Sequence, residues 1–456
     1  MAQRHAKAWT PNTRSPSMKQ APVANPHAPS VSLPLRFLLT GMLALLAGVA
    51  WLVWRPDILA QYHYNQYVIA VTHLFTLGWI CSVIMGAMYQ LVPVALETKL
   101  YSERLACWHY VLHVVGFIGM VGMFWIWDMK QVGHFGSVVS AGMILFVINL
   151  GRTLARIPRW NVIAYAVAAS LFWLLMAMLA GLYLAADKSW VFSLFNPISQ
   201  MHAHAHLGVL GFFVMMLVGV SYKLVPMFVL SDLQNRRRAG WSIGLLNTGL
   251  LGSFVTILIG SRWKPAFALV VTAGLALYGW EMMAILRARK RRQVDWGLKY
   301  FLTAISLLLP VSVIGLVLSW PDLPLTTLTA QLENVYGFLA LIGVVTLAIL
   351  GMLYKIIPFL VWYGSYSQEI GRSKVPSLAD LYSPQLQTAG YWTFLAGLTA
   401  ASVATALGHE QAVRWGCVLL AASLFFFAVN MVRILTHLVR PRIEPLTLRP
   451  AHGGNL

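Results

Sequence analysis

Long apolar blocks separated by short polar connections fill the chain from residue 35 to residue 437. Blocks of about twenty apolar residues are long enough to cross a bilayer as helices. They fall near 35–54, 66–95, 108–127, 133–151, 161–186, 203–230, 241–260, 265–286, 300–319, 333–362, 387–407 and 412–436. The pattern predicts an all-α, polytopic membrane protein of about twelve transmembrane helices. Residues 1–34 are polar and rich in Pro, Ser and Ala, and read as a disordered tail. Residues 438–456 read as a second tail.

A longer period overlies these blocks. The second block carries His73-Leu74, Gly78, Gly86, Tyr89 and Leu91-Val92-Pro93; the sixth carries His206-Leu207, Gly211, Gly219, Tyr222 and Leu224-Val225-Pro226. The tenth carries Phe338-Leu339, Gly343, Gly351, Tyr354 and Ile356-Ile357-Pro358 at the same offsets. The separations are 133 and 132 residues, four blocks each. The chain therefore reads as three pseudo-repeated four-helix arcs, about 35–151, 161–286 and 300–437. The paired glycines predict close approach of neighbouring helices. Each proline is expected to end or kink its span, and Lys223 and Lys355 to reach back to the membrane boundary.

Composition and charge then set the environment. Apolar residues make up 59% of the 456 residues and charged residues 10%, against about 25% charged in soluble domains. The net charge of +19 reads as orientation rather than as a nucleic-acid surface. With Met1 in the cytoplasm, only Arg55, Lys130, Lys188, Arg262, Lys264 and Arg414 of the 33 Lys and Arg fall in outer loops. Runs such as Arg236–Arg238 and Arg287–Arg292 face inward, the positive-inside bias. The expectation is a multi-pass protein of a bacterial-type inner membrane, with both termini cytoplasmic and the lipid bilayer as its first partner. No cleavable signal peptide is read in the first residues. The three cysteines form no C-x-x-C or C-x-x-C-H motif, so neither a zinc ribbon nor covalent c-type haem is expected. Glu281 precedes a basic loop and is expected to pair with it.

The thirteen histidines carry the candidate chemistry. His5, His27 and His452 lie in the tails. His109 and His113, one turn apart, read as interfacial residues on one helix face, and His437 as a structural residue at a helix end. The rest collect at the outer end: His63 and His73, His134, the run His202-Ala203-His204-Ala205-His206, and His409. Ionisable residues inside spans are functional suspects, and neutral imidazole is a common metal ligand. His73 and His206, equivalent in the repeat, are the expected cofactor-binding residues, and His202 and His204 the expected metal ligands. In a helix His204 points away from His202 and His206; in an extended start all three share a side. His63, His134 and His409 are open as further members of the site.

Twelve spans in three arcs, with Thr72-His73-Leu74 leading to Pro93 and the His202–Gly208 run leading to Pro226, resemble the haem-copper oxidase subunit I superfamily. Within it the chain is similar to divergent cbb3-type subunit I-like proteins and to NnrS-type membrane proteins associated with nitric oxide tolerance. The resemblance implies b-type haem and copper, an oxidoreductase acting on oxygen or nitric oxide, and an electron donor or partner subunit. It also implies a helix-two haem ligand at His73 and a copper ligand from the helix-six run. The departures are as informative, because no histidine occurs from Leu207 to Gly408. Helix seven lacks the family's copper pair, and Phe338 stands where the repeat would put His. A degenerate ligand set is the expectation, with no oxygen reduction to water at respiratory rates. Two other readings stay open: a non-enzymatic haem or copper carrier, sensor or assembly factor, and a transporter.

Overall fold

The computed structural model describes residues 30–445. Most of both expected tails, with His5, His27 and His452, lies outside the described residues. Twelve long helices follow in order: α1 Ser32–Trp54, α2 Gln66–Ala95, α3 Glu103–Ile126, α4 Met129–Leu154, α5 Val162–Trp190, α6 Pro197–Val229, α7 Arg236–Leu258, α8 Lys264–Arg287, α9 Trp296–Leu318, α10 Thr327–Glu369, α11 Pro384–Ala406 and α12 Glu410–Val439. Eleven are long and apolar enough to cross a membrane. The other, α11, has 23 residues but falls short in hydropathy. It packs along α12, with Gly397 against Leu420 and Gly416 against Ala401. The protein is thus an all-α, polytopic membrane protein. A short antiparallel pairing, Ser373–Lys374 with Glu444–Pro445, joins the α10–α11 connection to the chain after α12.

The second helix of each four-helix set is the innermost. The apolar windows of α2, α6 and α10 are 67%, 72% and 78% buried, against 22–50% for the other eight candidate spans. Each widens into eight residues of π-helix: Leu74–Cys81, Leu207–Val214 and Leu339–Thr346. These segments begin directly after His73, His206 and Phe338, so the backbone repeats with the same spacing as the sequence. π-Helical turns concentrate at functional sites because the widened turn redirects side chains and frees carbonyls. The Trp79 indole donates to Thr346 Oγ1 at 2.9 Å, tying the first π segment to the third.

The paired glycines act as expected. A Cβ on Gly86, Gly219 or Gly351 would collide with Phe37, Ala166 or the Gly297 carbonyl on the first helix of the same set. The prolines differ among themselves. Pro93 and Pro226 stand close to the ends of α2 and α6, whereas α10 runs on past Pro358 to Glu369. Lys223 is exposed, but Lys355 pairs with Asp295, whose carboxylate also caps α9.

A second repeated device lies at the opposite end of the bundle from the histidine run. The fourth helix of each set clasps the N-terminus of the third. Asn149 accepts from the Ser102 N–H at 3.0 Å and donates to its carbonyl at 2.7 Å. Asn430 does the same for Ser383, at 2.8 and 3.0 Å. In the middle set the acceptor is Glu281, which takes the N–H groups of Gln234 and Asn235 at 2.7 and 2.9 Å. Helix N-termini carry unpaired donors, and these clasps satisfy them. Glu281 pairs with Arg238 at 2.6 Å, not with the Arg287–Arg292 run expected from sequence, because its fully buried side chain faces the start of α7.

His109 and His113 are also not interfacial. Both are fully buried between α1, α2, α3 and α4. Tyr89 bonds His109 Nδ1 at 2.9 Å, and His113 Nε2 reaches Ser82 Oγ at 3.0 Å and the Leu77 carbonyl at 3.1 Å. Leu77 lies within the first π segment, so His113 serves backbone there.

Candidate functional site

The inner helices α2, α6 and α10, with α5, surround a cavity of about 610 Å³. That is an ordinary size for a ligand or cofactor site, in the range of about 300–1,000 Å³. His63, His73, His202, His204, His206 and Glu333 all reach it. Its remaining walls are mainly apolar, Phe124, Met120, Leu174 and Phe212 among them.

Helix geometry sorts the histidine run. Asn196 caps α6 by accepting from the Ile198 and Ser199 N–H groups, and Pro197 follows at the first turn. The run is therefore helical, and His204 leaves on the side opposite His202 and His206. The His204 ring fits against Gly181 of α5, where a Cβ would come within 3.0 Å of Cε1. Its Nδ1 donates to the Ala177 carbonyl at 2.9 Å. His73 Nδ1 donates to the Ile69 carbonyl at 2.8 Å, and Phe124 stacks on its ring at 4.6 Å. A carbonyl only accepts, so both rings carry their proton on Nδ1 and their lone pair on Nε2, the ligand-ready tautomer. The two rings face each other across the cavity, 6.4 Å between centroids and 14° from parallel.

His206 takes a different partner. Its Nδ1 donates to the His202 carbonyl at 2.7 Å, and Tyr336 of α10 approaches its Nε2 at 3.4 Å. His202 meets His63, with 3.0 Å between their Nε2 atoms. His63 sits in the loop before α2, which α10 holds down: Asn334 donates to the Leu59 and Gln61 carbonyls and Gln331 to that of Ala60. Burial of this loop residue pushes the His63 imidazole down to about 4, so it is neutral at pH 7. Glu333 of α10 completes the group, 3.4 Å from His63 Nδ1. His134 and His409 are exposed and stay outside it; the first bonds Gln131 and the second caps α12.

The structure places His73 beside His204, His202 beside His63, and His206 beside Tyr336. Glu333 and Tyr336 were missed as neighbours of these histidines. The repeat held the signal, since Glu333 lies beside the position equivalent to His202.

The donor set fits a haem. His73 and His204 would hold such a group through Nε2, since Nδ1 of each ring donates to a backbone carbonyl. The mainly apolar cavity that both rings line is of a size that suits a macrocycle. The set does not reproduce a family copper triad, because α7 brings no histidine to the cavity and Phe338 is buried where the third repeat would supply one.

Comparisons with known proteins agree with this architecture. The family model for cytochrome c and quinol oxidase polypeptide I matches residues 25–131. The chain is 32% identical over 83 residues to a cytochrome c oxidase subunit 1 homolog, bacteroid, of Bradyrhizobium diazoefficiens. It is 28% identical over 85 residues to a cytochrome c oxidase subunit 1 homolog of Agrobacterium tumefaciens. Each alignment covers 18% of this chain, and they span 15% and 16% of those relatives. The matched segment, carried on a threefold repeat of four-helix sets, supports a haem-copper oxidase subunit I-like superfamily for this chain.

Proposed function

We propose that this protein binds one b-type haem between His73 and His204 and uses it in redox handling of nitric oxide or oxygen. The observation that carries the reading is the pair of imidazoles of His73 and His204, near-parallel with ring centroids 6.4 Å apart, both lining one mainly apolar cavity and both with Nδ1 committed to backbone. Bound there, haem supplies a one-electron couple, and small uncharged gases partition readily into such walls. The chain's own residues orient the rings through Ile69 and Ala177 and shield the pair with Phe124 and Met120. Tyr336 and His206 offer a hydrogen-bonding side to the same cavity. The expected orientation puts this end at the outer face of a bacterial-type inner membrane, within reach of an electron donor or partner subunit.

The test is the visible spectrum and haem content of the purified protein, with nitric oxide and oxygen consumption measured under a reduced donor. Haem bands that vanish in His73→Ala and in His204→Ala, but persist in His206→Ala, support the reading. Unchanged haem in a His73→Ala, His204→Ala double variant would overturn it. Bound haem without gas turnover would favour the carrier or sensor reading. Sustained oxygen turnover of hundreds per second, high in the ordinary enzyme range of about 1–1,000 per second, would contradict the degenerate ligand set.

A further inference from the structure

We propose that His63, His202 and Glu333 form a binding site for one divalent first-row transition-metal ion, separate from the facing pair His73 and His204. Each of the three side chains offers one ligand atom, and these atoms lie within 4.8 Å of one another. They come from three different segments: the loop before α2, the start of α6 and the start of α10. The site is thus made only when all three helix sets are assembled.

Three observations fit an ion held by this group. The first is the spacing. The His63 and His202 Nε2 atoms stand 3.0 Å apart, and ligands bonded at about 2.0–2.1 Å to one ion must themselves lie about 3 Å apart. The second is the accounting of partners. His63 Nδ1 is buried and makes no hydrogen bond, although the Glu333 carboxylate is 3.4 Å away. The third concerns charge. Glu333 lies in a largely apolar cavity wall, and among the described residues its one ionisable contact within 4 Å is His63. Lys264 lines the same cavity without closing on Glu333. A carboxylate set beside two imidazoles in such surroundings is completed by a cation.

Two imidazoles and one carboxylate suit zinc(II) or iron(II) and leave coordination positions open towards the cavity. The three residues that offer ligand atoms include no cysteine, so no soft thiolate selects copper(I). The His63 loop is fixed by Asn334 and Gln331, so the site is held from outside as metal sites are. This inference goes beyond the haem reading and does not rest on it.

The experiment uses full-length protein, purified without a polyhistidine tag, stripped with a chelator, incubated with zinc(II) or iron(II), desalted, and assayed for metal. Wild type is expected to keep about one equivalent. Loss of outer partners alone weakens metal sites by about 10–100-fold, so Glu333→Gln and His63→Ala are expected to weaken retention at least that much. Glu333→Gln keeps the shape of the side chain, and its gel-filtration profile and thermal midpoint show that the fold survives. His73→Ala should keep the metal while losing haem, which separates the two proposals. Equal retention in wild type, Glu333→Gln and His63→Ala would overturn the site, as would wild type that retains no ion.

Discussion

Two pairs of histidines lie at different depths of this bundle, and both are enclosed by apolar side chains. His109 and His113 stand 5.6 Å apart on one face of α3. His73 and His204 stand 6.4 Å apart on α2 and α6. In the first pair one nitrogen of each ring is bonded to protein, and Phe37 and Phe146 pack against the rings. No space is left for a ligand, and both residues are fully buried. In the second pair Nδ1 of each ring is bonded to backbone, Nε2 has no protein partner among the described residues, and both residues line a cavity of about 610 Å³. The lesson is that burial and residue type do not separate a structural histidine from a ligand. The direction of the free lone pair does, together with the room in front of it.

The largest expected effect tests that distinction. His73→Ala should reduce bound haem more than about tenfold, since one of the two imidazoles that would hold it is removed. His109→Ala should leave haem content near wild type. Absorbance per protein decides between them. Comparable losses in both variants would mean that the pairs differ less than their surroundings indicate.

The next effect concerns stability and should reverse the ranking. His109→Phe removes the imidazole partner of the buried Tyr89 hydroxyl, which costs about 1–3 kcal/mol. The midpoint of thermal unfolding in detergent should fall by several degrees. Glu281→Ala should act in the same direction by about 1–3 kcal/mol, because two N–H groups and Arg238 lose their acceptor. Glu281→Asn restores the residue used at Asn149 and Asn430, and should cost less than Glu281→Ala. If Asn is no better than Ala there, the three clasps are not equivalent.

Much of this molecule was legible as pattern. Apolar runs marked every long helix, and the repeat of His73, His206 and Phe338 marked its inner ring. The ends were less visible. α3 begins at Glu103 rather than near 108, because Ser102 caps a polar first turn that an apolar count discards. The π segments leave no mark in composition, since widening a turn changes backbone pairing and not residue type. The histidine run showed that a site exists, but not its pairings. His204 meets His73 because Asn196 and Pro197 start α6 as a helix and Ala177 lies on its far side. Glu333 joins His63 because Asn334 and Gln331 draw in a loop more than 270 residues distant. Those are tertiary facts, and no local spacing encodes them.

The smallest expected effect is the sharpest test of how His204 is held. Gly181 lies on α5, and its lack of a Cβ lets the His204 ring lie against the helix while Nδ1 reaches the Ala177 carbonyl. A Cβ at 181 would sit 3.0 Å from His204 Cε1 and 3.6 Å from Nδ1. The first distance is tighter than ordinary van der Waals contact, so the ring must move by a few tenths of an ångström. His204 lines the cavity that His73 also lines, so displacement away from Gly181 alters how the two rings face each other. Gly181→Ala is therefore expected to keep the fold, because alanine favours a helix by about 1 kcal/mol over glycine. At the same time it should weaken the hydrogen bond that orients His204. In the haem-loaded protein the readout is a shift in the absorption bands and midpoint potential with haem content nearly unchanged. His206 has no contact with Gly181, so the same shift is not expected if His206 and not His204 is the ligand. A Gly181→Ala variant with wild-type spectrum and potential would thus count against His204, even if His73 proved essential.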